Sequence, residues 1–443
     1  MPVLLKDKKE KGENIMKKKL VSALLCVAMV ATMLAGCGGN KEADSSEEGG
    51  SGSSGEIYMF ISQPEYAYAI NALIEEYKSV EPDVTINYET TQNDYPTLLK
   101  AKLNSGDTPD IFSSTSGKEI EVYKEYSYDL SGEALMDTML PAVADTMKDA
   151  NGEGVYGIAI KGNYFGLLYN MDLLEEAGVE KMPETVEELN DCVAKLNDAG
   201  ITAFTGGFAE WWVFKHIFQH YAGAAVEDYQ AFVASMEAGE GKLEDYPIIS
   251  ENFFDFIDLV KDNGDAKPLE ADLSAEEAAF ANGEAAIMVG QGAWVEEDVK
   301  QINPDINIGF NGYPVSDDPA DCQVITGSDQ ALRISKDSEN LEAVLNFINW
   351  WYTSDYGKAW FTDVAGVVPP IEVDGESDYA VITQGNASVA EKGSAPLGVI
   401  YSTDSFHTAA GEAMQAYIGG QATREETMAA IEAKWAEIDG SSN

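Results

Sequence analysis

An α/β fold of two lobes is what the sequence predicts, and three observations predict it. Strand-length apolar runs alternate with helix-length amphipathic ones, and breaks rich in Gly, Pro, Ser and Asp separate them. The stretch carrying this pattern, from residue 56 onward, is about 390 residues, more than a single hydrophobic core usually serves.

The elements follow in order. Glu56 to Ser62 (EIYMFIS) reads as the first strand. Glu65 to Ser79 reads as a helix with Ala69, Ile70, Leu73, Ile74 and Tyr77 along one face, and Val84 to Thr90 as a second strand. Tyr95 to Leu103 is helical, Ser105 to Pro109 breaks it, and Asp110-Ile111-Phe112 starts the next strand. Thr185 opens a helix with Glu188 at capping-box spacing, and Gly200 stops it. Leu341, Val344, Leu345, Ile348, Trp351 and Tyr352 form another helical stripe. Strands separated by helices imply parallel sheets covered on both faces.

The N-terminus fixes the compartment. Met16-Lys17-Lys18-Lys19 is a basic start, Leu20 to Ala35 is an almost unbroken apolar run, and Leu34-Ala35-Gly36-Cys37 closes it with small residues before a cysteine. This is the layout of a bacterial lipoprotein signal. A helix of such a run spans about 24 Å, short of the ~30 Å hydrocarbon core, so the run reads as a removable address. Residues 1–36 are thus upstream residues and signal peptide, with Met16 a candidate initiator. Cys37 becomes the lipidated first mature residue, and 37–55, rich in Gly, Ser and acid, is a flexible tether.

The chain holds 28 basic and 77 acidic residues, a formal net charge of −49. Such a surface repels nucleic acid and anionic lipid, which excludes both as partners; its ordinary meaning is solubility. Beyond Cys37 only Cys192 and Cys322 remain. They are too few for a disulfide framework and too far apart for a zinc knuckle, so buried free thiols are the default, with one long-range bridge open. His216 and His220 have the i, i+4 spacing of a helical metal site, but Ile-Phe-Gln between them lacks the glutamate of a zinc protease, and a packed helix face is the simpler reading. There is no P-loop, nucleophile elbow or Gly-x-Gly-x-x-Gly. No metal, cofactor or catalytic residue is expected.

Several segments carry a resemblance. Ser105-Gly-Asp-Thr-Pro-Asp-Ile111, Val155-Tyr-Gly-Ile-Ala159 leading into Leu168-Tyr-Asn-Met-Asp-Leu-Leu174, and Pro183-Glu-Thr-Val-Glu-Glu-Leu189 come first; Phe280-Ala-Asn-Gly-Glu-Ala-Ala-Ile-Met288 with Gly292-Ala-Trp294, and Gly366-Val-Val-Pro-Pro370, follow. In order and spacing, over nearly all of 56–440, the chain resembles the extracellular solute-binding proteins of bacterial ABC importers, in particular their carbohydrate-binding, maltose-binding-protein-like branch. The resemblance implies the two-lobed periplasmic-binding-protein fold with three hinge crossings and an inter-lobe cleft. The crossings are expected near 160–163, 312–316 and 364–369, where short Gly/Pro links stand. The lobes are then 56–161 with 315–366, and 162–314 with 367–443.

A sugar pocket needs flat aromatic faces and polar groups for the hydroxyls. Trp211 and Trp212 after Gly206-Gly207, and Trp294 after Gly290-Gln291-Gly292, match in place the family's cleft aromatics; Phe406 and His407 fall where the family has another aromatic pair, with histidine a departure from its usual tryptophan. Trp350, Trp351, Trp360 and Trp435 keep helical period and read as core. Loops at strand ends supply the polar candidates: Gln63, Glu65 and Tyr66, then Ser113 and Ser114 with Thr115, Asn163 and Tyr164 at the first crossing, and Asp329 near the second. The implied function is to capture a carbohydrate, a small oligosaccharide, and deliver it to the importer's permease subunits, as a monomer held at the extracytoplasmic membrane face through Cys37. The rival readings are a polyamine or other cation held by Glu65, Glu210 and Asp329, a secreted glycoside-acting enzyme using a carboxylate pair, and an adhesive surface lipoprotein.

Overall fold

The computed structural model describes residues 55–91, 94–373 and 377–440. The signal, Cys37 and all but the last residue of the tether lie outside them. Among the described residues, no helix is long and apolar enough to cross a membrane.

Two open five-stranded sheets organise the chain. The first runs β2 (Val84–Thr90), β1 (Gly55–Ile61), β3 (Ile111–Thr115), β10 (Gln330–Ile334), β4 (Ile158–Ala159). The second runs β6 (Thr202–Gly206), β7 (Ala285–Gly292), β5 (Asn163–Asn170), β8 (Ile308–Asn311), with β9 (Ile325–Gly327) also paired to β5. Each sheet is the core of one lobe.

Parallel sheets are not what forms. β1 pairs in parallel with β2 and β3, and β6 with β7, whereas β10 is antiparallel to β3 and β4, and β5 to β7, β8 and β9. One cause explains every exception. β5 and β10 are the strands that begin where the chain has just changed lobe, so they run away from the boundary while their neighbours run toward it. The carboxyl ends of β1, β3, β6 and β7 therefore meet at the boundary, where open α/β sheets bind ligands.

The crossings correct two expected boundaries. The first lies between β4 and β5, at Ile160 to Gly162. The second is Ser328-Asp329, between β9 and β10, not 312–316. Tyr313 is buried and accepts from the Gly290 N–H at 2.6 Å, Val315 accepts from Asn252, and β9 adds to β5, so 315–327 stay with the second lobe. The third crossing follows Ile371, which still bridges Met139, and precedes Tyr379, whose hydroxyl reaches Glu297 at 2.6 Å; residues 367–371 belong with the first lobe.

Local chemistry places the helices. Thr185 caps the Val186–Asp198 helix by accepting from the Glu188 N–H at 3.2 Å, and the Glu188 carboxylate reaches back to the Glu184 N–H. The predicted stripe on Leu341–Thr353 is inward, with Trp351 wholly buried against Trp360 and Phe361. Trp435 is likewise buried and Trp350 packs at the core margin. Cys192 and Cys322 are both buried and free.

Candidate functional site

A cleft opens between the lobes. From the first lobe it takes Ser62, Gln63 and Glu65 after β1, Tyr95 and Pro96 on the Tyr95–Ser105 helix, and Ser114 and Thr115 at the end of β3. The second lobe contributes Trp211, Trp212, Lys215 and His216, Leu273, Trp294 and Asp404. The crossings supply Lys161, Asn163, Asp329 and Gln330.

The three tryptophans make the second-lobe wall. Trp294 packs its ring against the edges of Phe165 and His216, with centroids 5.4 and 5.3 Å away, and its indole N–H donates to Gln291 Oε1 at 3.1 Å. The backbone before it has no room for a side chain: a Cβ at Gly292 would lie 2.0 Å from the Tyr164 carbonyl oxygen and 2.4 Å from the Trp294 ring. Trp212 is buried and its indole N–H is unpaired, while Trp211 is half-buried and presents more of its ring.

Two lysines converge on these rings. The Lys161 ammonium lies over both Tyr66 and Trp294, at 5.4 and 5.1 Å from their centroids, and Lys215 lies over Trp211 at 5.5 Å. Lys161 is 5% exposed, donates to Asn163 Oδ1 at 3.2 Å, and among the described residues has no carboxylate within 4.0 Å. Lys215 stands 4.0 Å from Asp404. Asn163 donates onward to Asp329 at 2.7 Å, so the first and second crossings are tied together at the cleft floor.

Opposite the wall, polar atoms are left unpaired. Gln63 donates to Gln330 at 2.9 Å, but its Oε1 has no partner, and neither has Glu65 Oε2. Burial pushes the Glu65 carboxyl up to about 7; the Lys161 charge opposes the shift, and Asp298 and Asp329 add to it. At the mouth, Thr115 donates to Asp404 Oδ1 at 2.7 Å and the Asp404 N–H donates to Glu119 Oε1 at 2.9 Å, bonds that join the lobes. Glu119 is also pushed up to about 7, first by burial and then by Asp404.

Of the sequence-predicted residues, the structure brings Gln63, Glu65, Ser114, Thr115, Asn163, Asp329, Trp211, Trp212 and Trp294 to this cleft. The others point elsewhere. Tyr66 is buried beneath Lys161, Ser113 is wholly buried and bonded to Tyr95 and Ser62, and Tyr164 donates to Asn386 at 2.5 Å. Phe406 stacks on Trp435 at 4.2 Å, and His407 bonds the Val399 carbonyl; both line a separate, mostly apolar pocket in the second lobe. Glu210, a candidate for cation binding, is absent from the lining. His216 bonds the Gly290 carbonyl at 3.0 Å and His220 packs, tilted, against Tyr313; no group of His, Cys, Asp or Glu suited to a metal occurs among the described residues.

Lys161, Lys215, His216 and Asp404 were not singled out for the site. A crossing segment lies at the cleft by construction, so Lys161-Gly162-Asn163 carried a usable signal. Lys215 was one turn beyond Trp211. Asp404 carried none, because a capped helix start reads the same anywhere on a surface.

The buried titratable groups give a pH dependence whose sign can be worked out. Glu65 and Glu119 rise to about 7, Glu277 to about 8, and Glu276 well above its ordinary value, all chiefly through burial. Between their unfolded and folded values the native state holds protons that the unfolded chain has released, so stability increases as pH falls from 8.5 toward 6.5. Below about 6.5 the unfolded chain protonates its histidines while buried His216, His220 and His407 stay neutral, which opposes the gain. The melting temperature should rise by a few degrees from pH 8.5 to 6.5, since one pKa unit is worth about 1.4 kcal/mol, and then level off. A melting temperature that falls over that interval contradicts the assignment.

Comparison with known proteins adds four likenesses. Residues 61–358 match the family described as bacterial extracellular solute-binding protein. The chain is 25% identical over 365 residues to the multiple sugar-binding protein of Streptococcus mutans, covering 81% of this chain and 83% of that one, and 22% identical over 338 residues to the melibiose/raffinose/stachyose-binding protein MelE of Bacillus subtilis, covering 73% and 75%. A sugar transporter structure from Bacillus licheniformis in complex with stachyose superposes with a TM-score of 0.73 at 18% identity, over 86% of this chain and all of that one.

Proposed function

The chain belongs to the bacterial extracellular solute-binding protein family, and from that premise we propose that it is the substrate-capturing component of an ABC importer whose ligand is a small oligosaccharide. The observation that carries this reading is the pairing of tryptophan rings with unsatisfied hydrogen-bonding atoms across one cleft. Trp211, Trp212 and Trp294 offer faces for the C–H side of a pyranose. Gln63 Oε1 and Glu65 Oε2 lack donors, and Trp212 Nε1 lacks an acceptor. Buried polar atoms are costly when unpaired, and a ligand hydroxyl, which both donates and accepts, can satisfy either kind. The names of relatives that bind raffinose and stachyose support the same ligand class.

The lysines speak against the cation alternative. A polyamine would enter a cleft that already holds two ammonium groups, one without an ion pair among the described residues, and like charges repel. Capture itself needs no bond making: ligand contacts with both lobes stabilise the closed arrangement by their differential affinity for it. Trp211 and Trp294 from one side, with Gln63, Glu65 and Ser114 from the other, are the residues to which we assign those contacts. Cys37, lipid-modified, would hold the chain at the outer membrane face, and the closed lobes would present it to the permease.

Calorimetric titration with raffinose, stachyose and chitin oligosaccharides, each at low and at 0.5 M salt, tests this reading. One of them should bind with an affinity that salt changes by less than about threefold, because screening acts on charges and not on ring stacking. Binding of spermidine instead, weakening steeply with salt, would establish the cation reading in its place.

A further inference from the structure

Behind the tryptophan wall lies a carboxylate with no evident structural use. Glu276, on the Leu273–Ala281 helix, is wholly buried, and its Oε1 has no partner. Its Oε2 accepts from Gln291 Nε2 at 2.7 Å. A Cβ at Gly207 would come within 2.7 Å of that oxygen, so the carboxylate sits against the backbone itself. A buried acid of this kind is expensive, and an apolar side chain of similar size would serve stability as well or better.

We propose that Glu276 is the positioning residue of the aromatic wall, joining the turn that leads into Trp211 and Trp212 to the strand that leads into Trp294. Two connections carry this. Gly207 follows β6, and its carbonyl closes a turn onto the Glu210 N–H, immediately before the Trp211-Trp212 pair. Gln291, 1% exposed in β7, spans the other gap with its Oε1 on the Trp294 indole N–H at 3.1 Å.

The Gln291 amide can point only one way. An indole N–H is solely a donor and demands the amide oxygen, while the Glu276 oxygen facing the other end accepts and demands the amide nitrogen. Glu276 thus fixes the amide, and the amide fixes the plane of the Trp294 ring. Neither Gln291 nor Glu276 touches the cleft, so both act through the rings. Holding those rings in place before the ligand arrives lowers the ordering cost of binding, which is where preorganised sites gain affinity.

The ring-positioning claim can be read without ligand; only its effect on affinity rests on the carbohydrate proposal. In the full-length protein labelled with ¹⁵N-tryptophan, the seven indole N–H signals are recorded by NMR and the Trp294 signal is identified by its loss in Trp294→Phe. Glu276→Leu should shift and broaden that signal, whereas Glu276→Gln, which keeps an acceptor at the same place, should leave it. Should Glu276→Leu fail to fold, Gln291→Leu removes the same link. A Trp294 signal unmoved by these leucine variants, or moved only as much as the other six, overturns the proposal.

Stachyose titration supplies the second reading. Glu276→Leu should weaken binding about tenfold in the Trp294 protein and less than about twofold in the Trp294→Phe background, the size expected for one lost buried hydrogen bond. Equal losses in both backgrounds contradict positioning through Trp294. If the signal moves as expected but stachyose binds to no variant, the positioning claim stands and the ligand assignment is what fails.

Discussion

Arg333→Ala should destabilise the protein by about 4 kcal/mol, the range seen when a large buried side chain is truncated and its hydrogen-bond partners are left unpaired. Arg333 is one of two arginines, wholly buried at the heart of the first sheet. Its Nε donates to Ser114 Oγ at 2.8 Å, Nη1 to Ser127 Oγ at 2.9 Å and Nη2 to the Glu119 carbonyl at 2.7 Å, and the guanidinium lies 5.7 Å over the Tyr123 ring. Deletion leaves a cavity and strips donors from β3, the Glu119 helix and the Ser127 turn together. Arg333→Lys should recover less than half, because a single ammonium cannot reach three acceptors arrayed around a planar fork. Chemical denaturation of the two variants measures this. A loss below about 1 kcal/mol in Arg333→Ala would contradict the hub role.

The largest effect on binding is expected from Trp211→Ala and Trp294→Ala, each weakening the bound oligosaccharide by about 100-fold, as truncating a central tryptophan of an interface commonly does. The two differ in a useful way. Trp294 is 7% exposed and wedged between Phe165 and His216, so its removal also costs stability, about 3 kcal/mol. Trp211 is half-buried and should lose affinity with little change in melting temperature. Lys161 lies over the face of Trp294, so a ligand ring stacking there must first move the ammonium aside. Lys161→Met therefore tests whether that cation obstructs or contacts the ligand: tighter binding indicates obstruction, weaker binding a lost contact.

What the sequence made legible was whatever local period or strand-end position decides. The stripe on Leu341–Thr353, the Thr185 cap and the strands β1 and β2 needed no knowledge of the rest of the chain. Gln63, Ser114 and Trp294 could be placed because they stand at or just after the ends of strands that reach the lobe boundary. Strand direction was not legible. β5 and β10 run against their neighbours only because the chain changes lobe before each, a fact about the path and not about either segment. Phe406 and His407 went inward because the face of their helix is chosen by Trp435, almost thirty residues later, which stacks on Phe406 and leaves Asp404 to reach the cleft. Lys161 and Lys215 were missed since a lysine ordinarily reads as a solvated charge, and only the assembled rings give these two a place to lie.

The central claim, that this cleft holds an oligosaccharide between tryptophans and unpaired polar atoms, is tested most directly by thermal denaturation of the protein and of Trp211→Ala with raffinose, stachyose, chitin oligosaccharides and spermidine. A sugar bound only by the native state and present at 100 times its dissociation constant should add about 2.7 kcal/mol, and Trp211→Ala should lose most of that gain at the same concentration. Stabilisation by spermidine alone, or a sugar effect that Trp211→Ala leaves intact, would contradict the account.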